Sequence, residues 1–130
     1  MEITSEKVGV QKSAAALCAH LCDVKNFEAL MPENTSKFEL IRENAFVFAL
    51  QGMPEIALEI KEVDAPQKVV LGAISDKIPF NLTANINELS ESASEAALIF
   101  NGEFNAMMAM MIKGPITKFL GTLISNIKNL

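Results

Sequence analysis

The stretch from Phe104 to Leu130 limits the fold more than any other part of this 130-residue chain. Phe104, Met108, Met111, Ile112, Ile116, Phe119, Leu120, Leu123, Ile124 and Ile127 recur at steps of three and four, with Lys113, Lys118, Thr122, Ser125 and Lys128 between them. That spacing predicts an amphipathic helix. Gly114 and Pro115 fall in its middle, yet the apolar register continues past them, so one bent helix of about 25 residues, roughly 37 Å long, is expected. The bend is expected because Pro115 has no N–H to give to the Met111 carbonyl. Such a helix needs a broad apolar surface to lie on.

The preceding residues supply strands. Ile3 to Gln11 reads as a first strand, with Val8 and Val10 on one face and Ile3 on the other. Ser13 then offers an N-cap to a helix with Ala14, Leu17, Cys18 and Leu21 on its apolar side, and Asp23 caps a second short helix carrying Val24, Phe27, Leu30 and Met31. Pro32 ends it. After Ser36 the apolar period drops to two. Strands are predicted around Phe38 and Leu40, around Phe46, Phe48 and Leu50, and around Ile56, Leu58 and Ile60. Another is expected along Val69 to Ile74, whose near-continuous apolar run suggests burial on more than one side. The clearest alternation follows Pro79, where Phe80, Leu82, Ala84 and Ile86 alternate with Asn81, Thr83, Asn85 and Asn87, and Ala96, Leu98 and Phe100 carry the last strand. Gly52, Met53 and Pro54, and Asp64 to Gln67, read as turns.

Short connections make neighbouring strands antiparallel. The expected architecture is a single α+β domain over residues 1–130: a seven-stranded curved antiparallel sheet, two short helices after strand 1, and a long C-terminal helix packed across the concave face. Charge narrows the function classes. A net charge of −5 without a basic patch disfavours nucleic acid as a partner. No stretch reaches 18 uncharged apolar residues and Met1, Glu2 and Ile3 do not open a signal peptide, so a cytoplasmic protein without stable membrane insertion is expected. Cys18 and Cys22 lie four apart on one helical face, but two thiols make an incomplete metal site and His20 points elsewhere. They read as reduced core residues, His20 reads as a surface residue, and neither metal nor cofactor is expected.

The succession β, α, α, six β, α resembles the helix-grip fold of the START-like, or SRPBCC, superfamily. Leu21, Asp23, Phe27, Leu30, Met31 and Pro32 resemble the "L-x-D…l…mP" segment of its polyketide cyclase-like and carbon monoxide dehydrogenase G-like members. The resemblance implies binding or transport of a small hydrophobic, lipid-like or polycyclic ligand between sheet and helix. Two alternatives stay open: a polyketide cyclase/dehydratase-like enzyme, and a protein interaction or assembly module with a collapsed core.

The candidate lining is Leu30, Met31, Phe46, Phe48, Phe80, Leu82, Phe100, Met107, Met108, Met111 and Ile112. Methionine adapts to irregular partners, and all eight aromatic residues are Phe, which offer area but no polar handle. The same residues would serve a core packed shut. Met107, Met110 and Met111 could instead extend the apolar stripe beyond the sheet and form a partner or homodimer surface. No catalytic residue is assigned. Arg42 and Glu103 are the charged groups that alternation places least clearly outside, whereas Glu59, Lys61 and Asn81 fall on the outer face.

Overall fold

In the computed structural model, which describes residues 1–51, 53, 55–74 and 80–130, the change of period after Ser36 becomes a six-strand meander. Its strands are β3 (Thr35–Arg42), β4 (Ala45–Leu50), β5 (Ile56–Asp64), β6 (Lys68–Ala73), β7 (Phe80–Ser90) and β8 (Ala93–Gly102). Before it come β1 (Glu2–Thr4), β2 (Val8–Val10), α1 (Ala14–Leu21) and a short 3-10 helix (Val24–Leu30); after it comes α2 (Ala106–Lys128). Every pairing among the described strands is antiparallel, in the order β1-β8-β7-β6-β5-β4-β3, with β2 also on β8. The sheet thus has eight strands rather than seven, because the expected first strand is divided.

The division corrects the expected facing of that strand. Ile3 opposes Phe100 and Val8 opposes Ala96, so five steps on one strand match four on the other and one residue is extra. An extra residue reverses the inward–outward parity. Ile3 therefore shares the inner face with Val8 and Val10. Ser5 sits in this bulge and keeps the ladder bonded: its amide donates to the Leu98 carbonyl at 2.8 Å, and its hydroxyl accepts from the Leu98 amide at 2.8 Å.

Elsewhere the inward set follows the alternation. Phe46, Phe48 and Leu50 in β4, Ile56 and Leu58 in β5, Leu82, Ala84 and Ile86 in β7, and Ala96, Leu98 and Phe100 in β8 are buried. β6 differs from expectation. Val69 and Leu71 are buried whereas Val70 is half-buried and Ile74 is exposed, so this strand has one dry face, as an antiparallel sheet with a wet side allows. In β3 Phe38 is only half-buried and Leu40 is exposed, because β3 is the edge strand. The turn expected at Gly52 and Pro54, and Pro79 at the head of β7, lie outside the described residues.

The second short helix is 3-10 in type, and its buried residues explain why. Val24, Phe27 and Leu30 recur every three residues, the period at which 3-10 side chains stack. Asp23 caps it by accepting from the Lys25 amide at 3.2 Å, and Met31, already extended before Pro32, ends it. In α1 the Ser13 hydroxyl accepts from the Ala16 amide at 3.1 Å. Cys18 is buried, Cys22 is half-buried and both are free; His20, expected on the surface, is half-buried.

α2 runs unbroken through Pro115 over 23 residues, about 34 Å, starting at Asn105, whose side chain accepts from the Met108 amide at 2.8 Å. It starts two residues later than expected because Asn105 provides the cap. By length and composition it could cross a membrane. Its burial is that of a docked helix: Ile116, Phe119, Leu120, Leu123, Ile124 and Ile127 form one buried stripe over the inner face of the sheet. That stripe is confined to the C-terminal half. Asn126 secures it by donating from Nδ2 to the Leu30 carbonyl at 2.8 Å.

Candidate functional site

The eight Phe residues fall into two stacks that hold α2 against the sheet. In the first, Phe46 meets Phe27, Phe38 and Phe48 at centroid distances of 5.4, 5.2 and 5.9 Å, and Phe48 stacks on Phe119 of α2 at 5.2 Å and 9°. In the second, Phe100 meets Phe80 at 4.8 Å and Phe104, just before α2, at 6.0 Å. Each such pair contributes roughly 0.5–1.5 kcal/mol beyond its buried area. Together they tie the middle of α2 and the residue leading into it to the sheet.

These stacks contain several residues of the sequence-derived lining. Leu30, Phe46, Phe48, Leu82 and Phe100 are fully buried, and Met31 and Phe80 are half-buried against the same core. Met108 and Ile112 are half-buried on α2. Met107 and Met111 depart from the expected placement: they are 75% and 70% exposed, and Met110 is 83% exposed. The physical reason is that the buried stripe of α2 begins only at Ile116, so among the described residues none covers these three side chains.

The open space lies beside this lining. A cleft of about 570 Å³ separates the middle of α2 from the turns that begin β3 and end β4. Gly114, Pro115, Lys118, Phe119 and Thr122 face it from α2, at spacings that place them along one side of a helix. Pro32 and Asn34 face it from the segment before β3, and Leu50, Gln51 and Met53 from the end of β4. A backbone bond joins the two turns, the Gln51 amide donating to the Asn34 carbonyl at 2.9 Å; within them the Thr35 amide donates to Pro32 at 3.1 Å and the Met53 amide to Leu50 at 2.9 Å. The amide side chains of Asn34 and Gln51 are thereby carried on a braced rim. Leu50 and Phe119 form a buried wall behind it, and Phe119 is shared with the first Phe stack, so the cleft borders the core directly.

None of the sequence-derived lining residues faces this cleft. They follow the apolar stripe of α2, whereas Lys118 and Thr122 lie on its polar flank. A signal was present: Gly114, Lys118 and Thr122 repeat every four residues beside the helix proline. The charged candidates lie elsewhere. Arg42 and Lys61 both bind Glu59, Lys61 at 2.6 Å, on the outer face, and these two cations, Lys61 first, hold the Glu59 carboxyl below its ordinary range. Glu103 is exposed. Burial, followed by the neighbouring Cys22, pushes the Cys18 thiol up, so it stays protonated. Among the described residues no group of three His, Cys, Asp or Glu side chains forms a metal cluster.

No protein-family model and no curated protein matches the sequence. Solved structures do match along nearly the whole chain. An aromatase/cyclase, Zhui, from Streptomyces sp. R1128 superimposes with a TM-score of 0.76 at 10% identity, covering 99% of this chain and 92% of that one. A START superfamily protein from Mycobacterium smegmatis gives a TM-score of 0.70 at 12% identity and covers 98% and 97% of the two chains. Norcoclaurine synthase from Thalictrum flavum, in complex with dopamine and hydroxybenzaldehyde, gives a TM-score of 0.67 at 12% identity, with 99% and 86% covered. The chain has the START-like, SRPBCC-type helix-grip fold.

Proposed function

We propose that this protein is a soluble, cytoplasmic binder or carrier of a small, largely apolar molecule, held between α2 and the sheet at the Gly114–Pro115 segment. The observation that carries the reading is the cleft of about 570 Å³ bordering the Phe48–Phe119 stack. Its size falls within the range of small-molecule pockets, roughly 300–1,000 Å³, and its mixture of apolar wall and a few polar rim groups is typical of them. A protein of the same fold has been seen with dopamine and hydroxybenzaldehyde, which supports a ligand of that scale. The sequence-derived lining lies away from the cleft: Met31, Phe80 and Ile112, half-buried against the core, are the side chains that would yield if a larger ligand reached past Phe119. Binding is favoured because the described cleft residues offer a single ionisable side chain, the exposed Lys118, beside a mainly apolar wall.

Native mass spectrometry on detergent-free protein tests this reading, with titration of the neutral fluorescent probe N-phenyl-1-naphthylamine alongside. Retained or acquired ligand mass and saturable probe uptake are expected, both lost in Thr122→Trp, which fills the cleft from half-buried Thr122. An unchanged apo mass under ligand excess and no probe uptake would overturn it. A second reading, assembly into a homodimer, is favoured by the exposed Met107, Met110 and Met111, since uncovered apolar side chains at helical spacing fit a second helix. Sedimentation showing a monomer at high protein concentration would remove it.

A further inference from the structure

We infer that the cleft selects an apolar molecule carrying a single carboxylate, with Lys118 as the group that recognises the anion. The inference rests on the binding reading above and adds the chemistry of the ligand. Three observations converge on it. Lys118 is the only charged side chain among the described cleft residues, and no carboxylate among them stands there to neutralise it. Asn34, Gln51 and Thr122 contribute two amides and a hydroxyl, all able to donate hydrogen bonds to an anionic oxygen, and the first two sit on turns braced by backbone bonds. The third observation is the distribution of charge. α2 carries Lys113, Lys118 and Lys128 and no acidic residue, within a chain whose net charge is −5. Of these three cations Lys118 is the one that faces the cleft, so it is the group that would draw an anion there in a chain of net negative charge.

The composition also sets the kind of anion. One ammonium with neutral donors suits a monoanion; a phosphate dianion is better served by Arg forks or clustered backbone amides, and no Arg faces this cleft among the described residues. Behind the donors stand Pro32, Leu50, Pro115 and Phe119, which accept hydrocarbon and offer no further polar partner from their side chains. A fatty or arylalkanoic acid meets both demands: its carboxylate lies at the rim beside Lys118 and its apolar body lies against Phe119.

Displacement of N-phenyl-1-naphthylamine by decanoate and by 1-decanol at pH 8 separates anion recognition from apolar binding. Wild-type protein is expected to prefer the acid by roughly three- to tenfold, as suits one charge-assisted contact at a solvated rim. Raising ionic strength from about 20 mM to about 500 mM should shrink that preference, because screening acts on exposed charge. Lys118→Gln should remove the preference, so that decanoate and 1-decanol displace the probe equally, and Lys118→Arg should retain it. Equal displacement by acid and alcohol in wild-type protein, or a preference that survives in Lys118→Gln, overturns the inference and leaves apolar binding standing. Failure of both compounds to displace the probe, or of the probe to bind, overturns both.

Discussion

Replacing Leu123 by alanine measures how firmly α2 is docked. Leu123 is 1% exposed and lies mid-stripe, with Leu120, Ile124 and Ile127 as buried neighbours on the same helix face. The substitution removes three carbons from the core, a transfer loss of about 2.4 kcal/mol at about 0.8 kcal/mol per buried methylene. A cavity term is added, because close-packed neighbours collapse only in part; measured Leu→Ala losses reach about 5 kcal/mol. The neighbours here are held by Phe119 on Phe48 and by Asn126 on the Leu30 carbonyl, which limits collapse, so a loss of about 3–5 kcal/mol is expected. With an m-value of about 2 kcal/mol per molar urea, the midpoint should fall by about 1.5–2.5 M. Met110→Ala, on the same helix but 83% exposed, serves as the control and should change stability by no more than about 0.5 kcal/mol. Urea unfolding followed by far-ultraviolet circular dichroism reads both. A loss below half a kilocalorie for Leu123→Ala, or equal losses in the two variants, would refute the docking of α2 through its C-terminal half.

Other perturbations probe other contacts. A Cβ at Gly102 would lie 2.6 Å from the Phe104 ring and 2.8 Å from Phe80 Cβ, so Gly102→Ala should cost about 1–3 kcal/mol in urea unfolding. Gly72→Ala should also destabilise, since its Cβ would lie 2.7 Å from Lys61 Cγ, and moving that side chain aside strains its pair with Glu59. Asn126→Ala should cost about 1–2 kcal/mol by leaving the Leu30 carbonyl without its donor; a neutral result would show that water replaces it. Glu59, its carboxyl held low first by Lys61 and then by Arg42, contributes stability that is fully present above its unfolded value and fades as pH falls through its folded value. The stability difference between wild type and Glu59→Gln should therefore be larger at pH 7 than at pH 3, and a difference that grows on acidification would contradict the pairing.

Much of the fold was legible because local chemistry and long-range packing agreed. Phe80 to Asn87 alternates strictly and is a half-buried strand; Asp23 and Pro32 bound a helix in the sequence and in the structure. The errors have local causes. Facing in the first strand depended on one extra residue at the Ser5 bulge, and composition does not reveal a bulge in advance. Met107 and Met111 continued the apolar period of α2 beyond the surface that covers it, and periodicity reports which side chains share a face without reporting where the partner ends. The cleft was missed for a related reason. Its rim pairs Lys118 and Thr122 with Asn34 and Gln51, residues far apart in the chain whose proximity depends on where α2 crosses the sheet.

The position of β1 and β2 bears on how the molecule is made. Among the described strands both pair only with β8, and the Met1 ammonium donates to the Gly102 carbonyl at 2.7 Å, so the first ten residues find their sheet neighbours about ninety residues later. During synthesis that segment waits, unpaired, until Ser94 to Asn101 has left the ribosome, while the β3-to-β8 meander zips through short hairpins. Closing the sheet is then a late event, and a nascent chain halted before β8 would expose Val8 and Val10 to whatever meets them first.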